Sequence, residues 1–213
     1  KESLPAEKRS KTGVWATFRS FGIIVHNRRY MLYVFQLAFA QGILFAYIAS
    51  SPFIIQQHYG FSPFAFSICF AVNAVAIGVA AALSVKFRRT ENGTLTGCVG
   101  MLVFAVLQMA ALYSGCGFWT YELLMFALLF MMGLTFTAST TLAMDCERRY
   151  AGAASALLGA LCFASGGIVS PLVGLGDILI STGVTFVICA VCSLLCALWA
   201  VKRTGPKVAL CRI

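Results

Sequence analysis

The sequence predicts an all-α membrane protein with six transmembrane helices, and three observations carry that reading. The composition is 60% hydrophobic and only 11% charged, with a mean hydropathy of +0.88, unlike a soluble domain of 213 residues. Six apolar runs, near 31–53, 63–85, 95–113, 123–144, 153–174 and 182–201, can each cross a hydrocarbon core of roughly 30 Å as a helix. The third observation is the charge pattern. Of the sixteen Lys and Arg, seven precede the first run, three (Lys86, Arg88, Arg89) follow the second, Arg148 and Arg149 follow the fourth, and four follow the sixth. The loops QQHYGFS, SGCGFWTYE and GDILIST contain none. The positive-inside rule then puts both termini and the two basic loops in the cytoplasm. A net charge of +9 would suggest nucleic acid in a soluble chain; here it orients the helices and attracts anionic headgroups, so no nucleic-acid partner is expected.

Three regions follow: a lead-in over 1–30, the six-helix domain over 31–201, and a basic tail over 202–213. In the lead-in, Trp15, Phe18, Phe21, Ile24 and Val25 recur at helical spacing beside Arg19, the pattern of a helix lying on the cytoplasmic interface. Its basic residues are not followed by the short apolar core and cleavage site of a signal peptide. The first Met is Met31, and the lead-in reads as a stretch between domains, so the chain is expected to be the later part of something longer.

The first span carries Gln36, Gln41 and Tyr47 among apolar neighbours, with Phe45 one turn from Gln41. Amides in hydrocarbon are costly unless bonded or wet, so these face either other helices or an aqueous cavity. Pro52 is expected to end or kink this helix. The second span starts at Ser62–Pro63, a favourable helix start, and holds Asn73 together with Ala74, Gly78 and Ala82 in four-residue steps. The third has Gln108 as its one notable polar residue and otherwise reads as lipid-facing. In the fourth, Met132 and Phe136 lie beside Thr135, Thr137, Ser139, Thr140 and Thr141; such hydroxyls commonly bond back to their own helix. Asp145 and Glu147 then meet Arg148 and Arg149, the composition of an ion-paired turn at the cytoplasmic surface.

From Arg148 to Gly176 the chain carries a small residue at almost every helical turn. Ser155 and Gly159 are four apart, as are Gly166, Ser170 and Gly174, a spacing that lets a neighbouring backbone approach closely in lipid. Pro171 sits inside this run, where it frees a carbonyl that protein or a cavity must satisfy. The sixth span contains Cys189, Cys192 and Cys196 on one face; without polar supporting groups they read as small apolar packing residues rather than a redox or metal site.

The sequence offers no catalytic residues, metal ligands or cofactor motif: HExxH, GxSxG and the phosphate-binding GxxxxGK[ST] are all missing. None of the six spans, bounded as above, has an ionisable Asp, Glu, Lys, Arg or His near its centre, where one would cost about 2.5–3.5 kcal/mol on insertion scales. No proton carrier within the membrane is therefore expected of this chain.

Four segments together carry a family resemblance: ESLPAEKRS, LFAYIASSPF, FSPFAFSICFAVNA and AGAASALLGALCFASGGIVSPLVG. They resemble, in order, the segment after the sixth helix and the seventh, eighth and eleventh helices of a twelve-helix major facilitator superfamily transporter, in the Bcr/CflA branch of drug:proton antiporters. The loop KFRRTENG looks like a degenerate form of the family's basic loop without its membrane-end aspartate, and Asp145 stands where the branch often has an acid.

The resemblance implies two inverted three-helix repeats forming one half of an alternating-access transporter. Spans one and four would line the cavity, making Gln36, Gln41, Phe45, Tyr47, Met132, Thr135, Phe136 and Ser139 substrate-contact candidates, together with Asn73 of span two. Spans two and five would pack on the N-terminal half through Ala74, Gly78, Ala82, Ser155, Gly159, Gly166, Ser170, Pro171 and Gly174, leaving spans three and six peripheral. The implied partners are the lipid bilayer, that other half, protons and a small amphipathic drug-like substrate, exported across a bacterial inner membrane in a way that confers antibiotic resistance. The family's coupling acids would lie in the other half. Two alternatives stand beside this reading: a truncated paralogue that does not transport, and a six-helix carrier or channel that must homodimerise.

Overall fold

The computed structural model describes residues 14–202, with side chains from Arg19 onward. The start of the lead-in (1–13), the side chains of Trp15 and Phe18, and the tail from 203 to 213 lie outside the described residues. The described chain is helical throughout, without strands. A lead-in helix α1 (Val14–His26) precedes α2 (Arg28–Pro52), which continues through a π-helical turn at Phe53–His58. Then follow α3 (Pro63–Ser84), α4 (Thr90–Tyr113), α5 (Phe118–Cys146), a 3₁₀ turn at Arg148–Tyr150, α6 (Ala151–Val173) and α7 (Ile178–Lys202). Six of these, counting the π turn with α2, are long and apolar enough to cross a membrane.

Local chemistry explains where the helices begin. Asn27 caps α2, its side-chain oxygen accepting from the Arg29 and Tyr30 amides at 3.2 and 3.3 Å. Ser62 does the same for α3, accepting from Ala65 N at 3.2 Å, with Pro63 in the first turn where no amide is needed. Asp177 accepts from the Leu179 and Ile180 amides and so starts α7. The three turns at the end without Lys or Arg each contain a glycine of positive φ: Gly60, Gly115 and Gly176.

The two prolines lie near helix ends. Pro52 is the last residue of α2, as expected, but the chain does not leave the helix axis for a loop there; it widens into the π turn and runs on to His58. Pro171 sits in the last turn of α6, so the helix is intact for nearly its whole length. Helices α4 and α5 also start earlier than their apolar runs, at Thr90 and Phe118. The added turns are polar or aromatic, and hydropathy alone does not register them.

The six helices pack as two related triplets. Helix α3 packs on α5 as α6 packs on α2, and α4 packs on α5 as α7 packs on α2; α4 meets α7, and α2 meets α5. Exchanging the first three helices for the last three reproduces the pattern, and α2 and α5 run in opposite directions between the basic end and the end without Lys or Arg. That is an inverted pair of three-helix repeats. Helices α2 and α5 are consequently the most buried, and α3 and α6 the least. Glycines set the closest approaches: a Cβ at Gly133 would stand 2.6 Å from the Ile77 carbonyl oxygen, and one at Gly97 would stand 2.7 Å from Thr135 Cβ.

At the end without Lys or Arg, Tyr59 ties two loops together. Its hydroxyl donates to the Cys116 carbonyl at 3.0 Å, and its ring packs on Phe118 and Tyr121. Burial, then the Cys116 contact, pushes the Tyr59 hydroxyl up from the ordinary tyrosine range.

Candidate functional site

Gln36 is fully buried on α2 at the junction of four helices. Its amide nitrogen reaches Thr135 Oγ1 and Ser193 Oγ, each at 3.2 Å, and Cys98 Sγ at 3.5 Å. Thr135 donates onward to the Thr94 carbonyl at 3.2 Å, and Ser139 to the Thr94 hydroxyl at 3.1 Å. These bonds link α2, α4, α5 and α7, so of the two roles left open for this glutamine the geometry matches interhelical bonding. Met132, Thr135 and Ser139 are likewise buried within the half. Thr140 and Thr141 bond back to the Phe136 and Thr137 carbonyls of their own helix.

Gln41, Phe45 and Phe136 are arranged differently: all three are only half-buried. Gln41 makes no hydrogen bond among the described residues. Phe45 meets the Phe163 ring edge-on, with centroids 5.9 Å apart. Each therefore keeps part of its side chain at the surface of the helix bundle.

The small-residue seam divides. On α3, Ala74, Gly78 and Ala82 are exposed, and nothing lies within 4 Å of where a Gly78 Cβ would be. On α6, Ser155, Pro171 and Gly174 are exposed, Gly159 and Ser170 are half-buried, and Gly159 likewise has nothing near its Cβ position. Gly166, expected on the same outward face, points inward instead. A Cβ there would sit 2.6 Å from Cε2 of Phe45, with two more ring carbons closer still. The reason is geometric: four residues turn an α-helix by about 400°, so each step drifts by about 40° and two steps swing the face by about 80°.

The acidic and basic residues after α5 form only part of the expected ion-paired turn. Arg148 donates to Asp145 at 2.9 Å, both side chains being largely exposed. Glu147 instead accepts from the Asn27 amide at 2.6 Å, and Arg149 lies over the Tyr150 ring at 5.7 Å. Glu147 therefore latches the start of α2 to the α5–α6 junction, aided by the Tyr30 hydroxyl donating to the Ala154 carbonyl at 2.6 Å.

One group escaped the sequence reading. Hydropathy places Glu122 in the loop before the fourth span, yet it lies in the second turn of α5 and accepts from Asn73 Nδ2 at 2.8 Å. The same nitrogen reaches the Tyr47 hydroxyl at 3.1 Å, so α2, α3 and α5 meet in one polar cluster. Asn73, alone on an apolar helix, was the signal that such a partner had to exist. Just below the cluster, Ala71, Val72, Val75, Ala76, Val79, Phe126 and Phe130 line an apolar groove of about 310 Å³ between α3 and α5. No group of three or more His, Cys, Asp or Glu gathers among the described residues.

Comparison with known proteins agrees with the helical arrangement. A family model described as the Major Facilitator Superfamily matches residues 1–171. Over 181 residues the chain is 35% identical to the "Uncharacterized MFS-type transporter YdgK" of Bacillus subtilis (strain 168), an overlap covering 83% of this chain and 45% of that protein. The chain thus spans about half the length of this curated relative.

Proposed function

Because the chain belongs to the major facilitator superfamily, we propose that it serves as one six-helix half of an alternating-access transporter in a bacterial inner membrane. The observation that carries this reading is the contrast between outward faces. On α6 the exposed residues are mostly small, Ala151, Gly152, Ser155, Ala156, Ala160, Ala164 and Gly167, with the larger Phe163, Ile168 and Leu172 confined to its C-terminal half. On α4 and α7 they include Val103, Leu107, Ile188, Leu195 and Trp199. Large side chains suit lipid, whereas small ones suit a closely approaching helix. Helix α6 accordingly docks on the N-terminal half, α3 brings exposed Ala74, Gly78 and Ala82 to the same interface beside its larger Ile68, Val72, Val75 and Val79, and Gln41, Phe45 and Phe136 line the path between the halves. Its apolar, aromatic lining fits small amphipathic compounds, and the sequence resemblance to drug:proton antiporters supports proton-driven export with both termini cytoplasmic.

The test places substitutions on both kinds of face in a complete transporter carrying this half. Gly78→Leu and Ser155→Leu should abolish export of an amphipathic dye at unchanged membrane abundance. Val103→Phe and Ile188→Phe should leave it intact. Equal damage from both pairs would refute the docking assignment. Export by this chain alone, with cross-links between copies at Gly78, would point to a homodimer.

A further inference from the structure

We propose that Glu122, held by Asn73, whose amide also reaches Tyr47, is a proton-binding carboxyl built into this half. Asn73 is the eleventh of the 22 residues of α3, and Glu122 reaches it from the fifth residue of α5, so the carboxyl lies beside the middle of α3. Asn73 is only 1% exposed. Of the carboxyl oxygens, Oε1 accepts from Asn73 Nδ2, while Oε2 is sealed from solvent and has no partner. The other atom of the same amide, Asn73 Oδ1, is also buried without a partner. Both orphans are acceptors on two groups already joined by a hydrogen bond. A single proton on Oε2, donated to Oδ1, would close an acid–amide pair and satisfy both.

The surroundings favour the neutral acid. The titratable groups whose fields reach the cluster are Tyr47 of α2, Cys69 of α3, Tyr121 of α5 and Tyr59 of the loop before α3. None is a cation, and Glu122 makes no ion pair among the described residues. A half-buried carboxylate with no cation beside it and one oxygen sealed from solvent is costly and neutralises where it can. Binding adds one proton to Oε2 and changes the net charge of the site from minus one to zero. Release, which must follow in each cycle if the site is to couple, exposes the carboxylate to water. The proposal deepens the transporter reading and corrects the expectation that this half has no membrane-embedded acid, but its test requires no transport.

Infrared difference spectra of the protein in lipid nanodiscs, recorded across a pH series, should contain a protonated-carboxyl band at neutral pH. That band should vanish in Glu122→Gln and disappear reversibly as pH rises. Asn73→Leu should move it to higher wavenumber by removing the amide acceptor, a change that loosened packing alone would not cause. If Glu122→Gln does not fold, ¹³C labelling of glutamate side chains isolates the band from aspartate, and its pH response is compared in the same series. No Glu122-dependent band at any pH, or a band that never titrates, would overturn the proposal. So would a band lost on adding sodium at fixed pH, which would make the occupant a metal cation.

Discussion

Gly166 and Gly167 are adjacent on α6, yet the structure gives them opposite surroundings, so a methyl group added at each makes a controlled comparison. At Gly167 nothing lies within 4 Å of the new Cβ; at Gly166 the Phe45 ring occupies its place. Replacing Gly by Ala in a helix stabilises by about 1 kcal/mol through backbone entropy, a gain common to both variants. Overpacking costs about 1–3 kcal/mol and applies only at Gly166. The difference between Gly166→Ala and Gly167→Ala should therefore be about 1–3 kcal/mol, roughly a five- to 150-fold difference in unfolding equilibrium. Reversible unfolding in mixed micelles, followed by tryptophan fluorescence, measures it. Adding Phe45→Ala should abolish the difference, because the clash partner is gone. Equal stability of the two single variants would refute the inward placement of Gly166 and restore it to the docking face.

Three further outcomes follow from the same contacts. Gln36→Ala should destabilise by about 1–2 kcal/mol in that assay, since its amide joins helices across a buried junction. Asn27→Ala should cost about 0.5–2 kcal/mol through loss of the α2 cap, whereas Asp145→Asn, which breaks only an exposed pair, should change stability by less than about 1 kcal/mol. In a background lacking native cysteines, cysteines at Gln57, Trp119 and Ile180 should react with an impermeant reagent from outside, and those at Thr90 and Tyr150 only after permeabilisation; labelling of Thr90 from outside would invert the orientation.

The helices were legible because lipid leaves a spanning backbone little choice: every amide must be bonded internally, so a long apolar run is a helix. Their ends were less legible. Hydropathy dips over the polar and aromatic first turns of α5, but the helix runs on through Tyr121 to Phe118, and this hid Glu122. Helical phase would have found it, because Tyr121, Met125, Leu128 and Leu129 are all buried on one face and extend the inward stripe to the helix start. Small residues at four-residue spacing were legible as a seam but silent about the neighbour. Gly166 faces a ring of its own half, Gly133 faces α3, and Gly78 faces outward; only the packed bundle separates the three. Among the polar residues, sequence alone could not distinguish Gln36, bonded inside, from Gln41, left open, because both lie on the same helix among the same apolar neighbours.

The π turn after Pro52 bears on how the chain tolerates changes in length. Such a turn is a helix accommodating one surplus residue, and here it lets the consecutive Ile54 and Ile55 both face inward while Gln57 and His58 reach the rim. Removing one residue from 53–58 relaxes the segment to ordinary pitch, and the adjoining loop, which turns at Gly60 with positive φ, takes up the shift. The same deletion inside α4 or α5 would rotate everything beyond it by about 100° and pull Gly97 and Gly133 out of register with their neighbours. Insertions and deletions of a single residue should therefore accumulate at the end of α2 and be purged from α4 and α5, so that across homologues the length of this one helix drifts while its neighbours stay fixed.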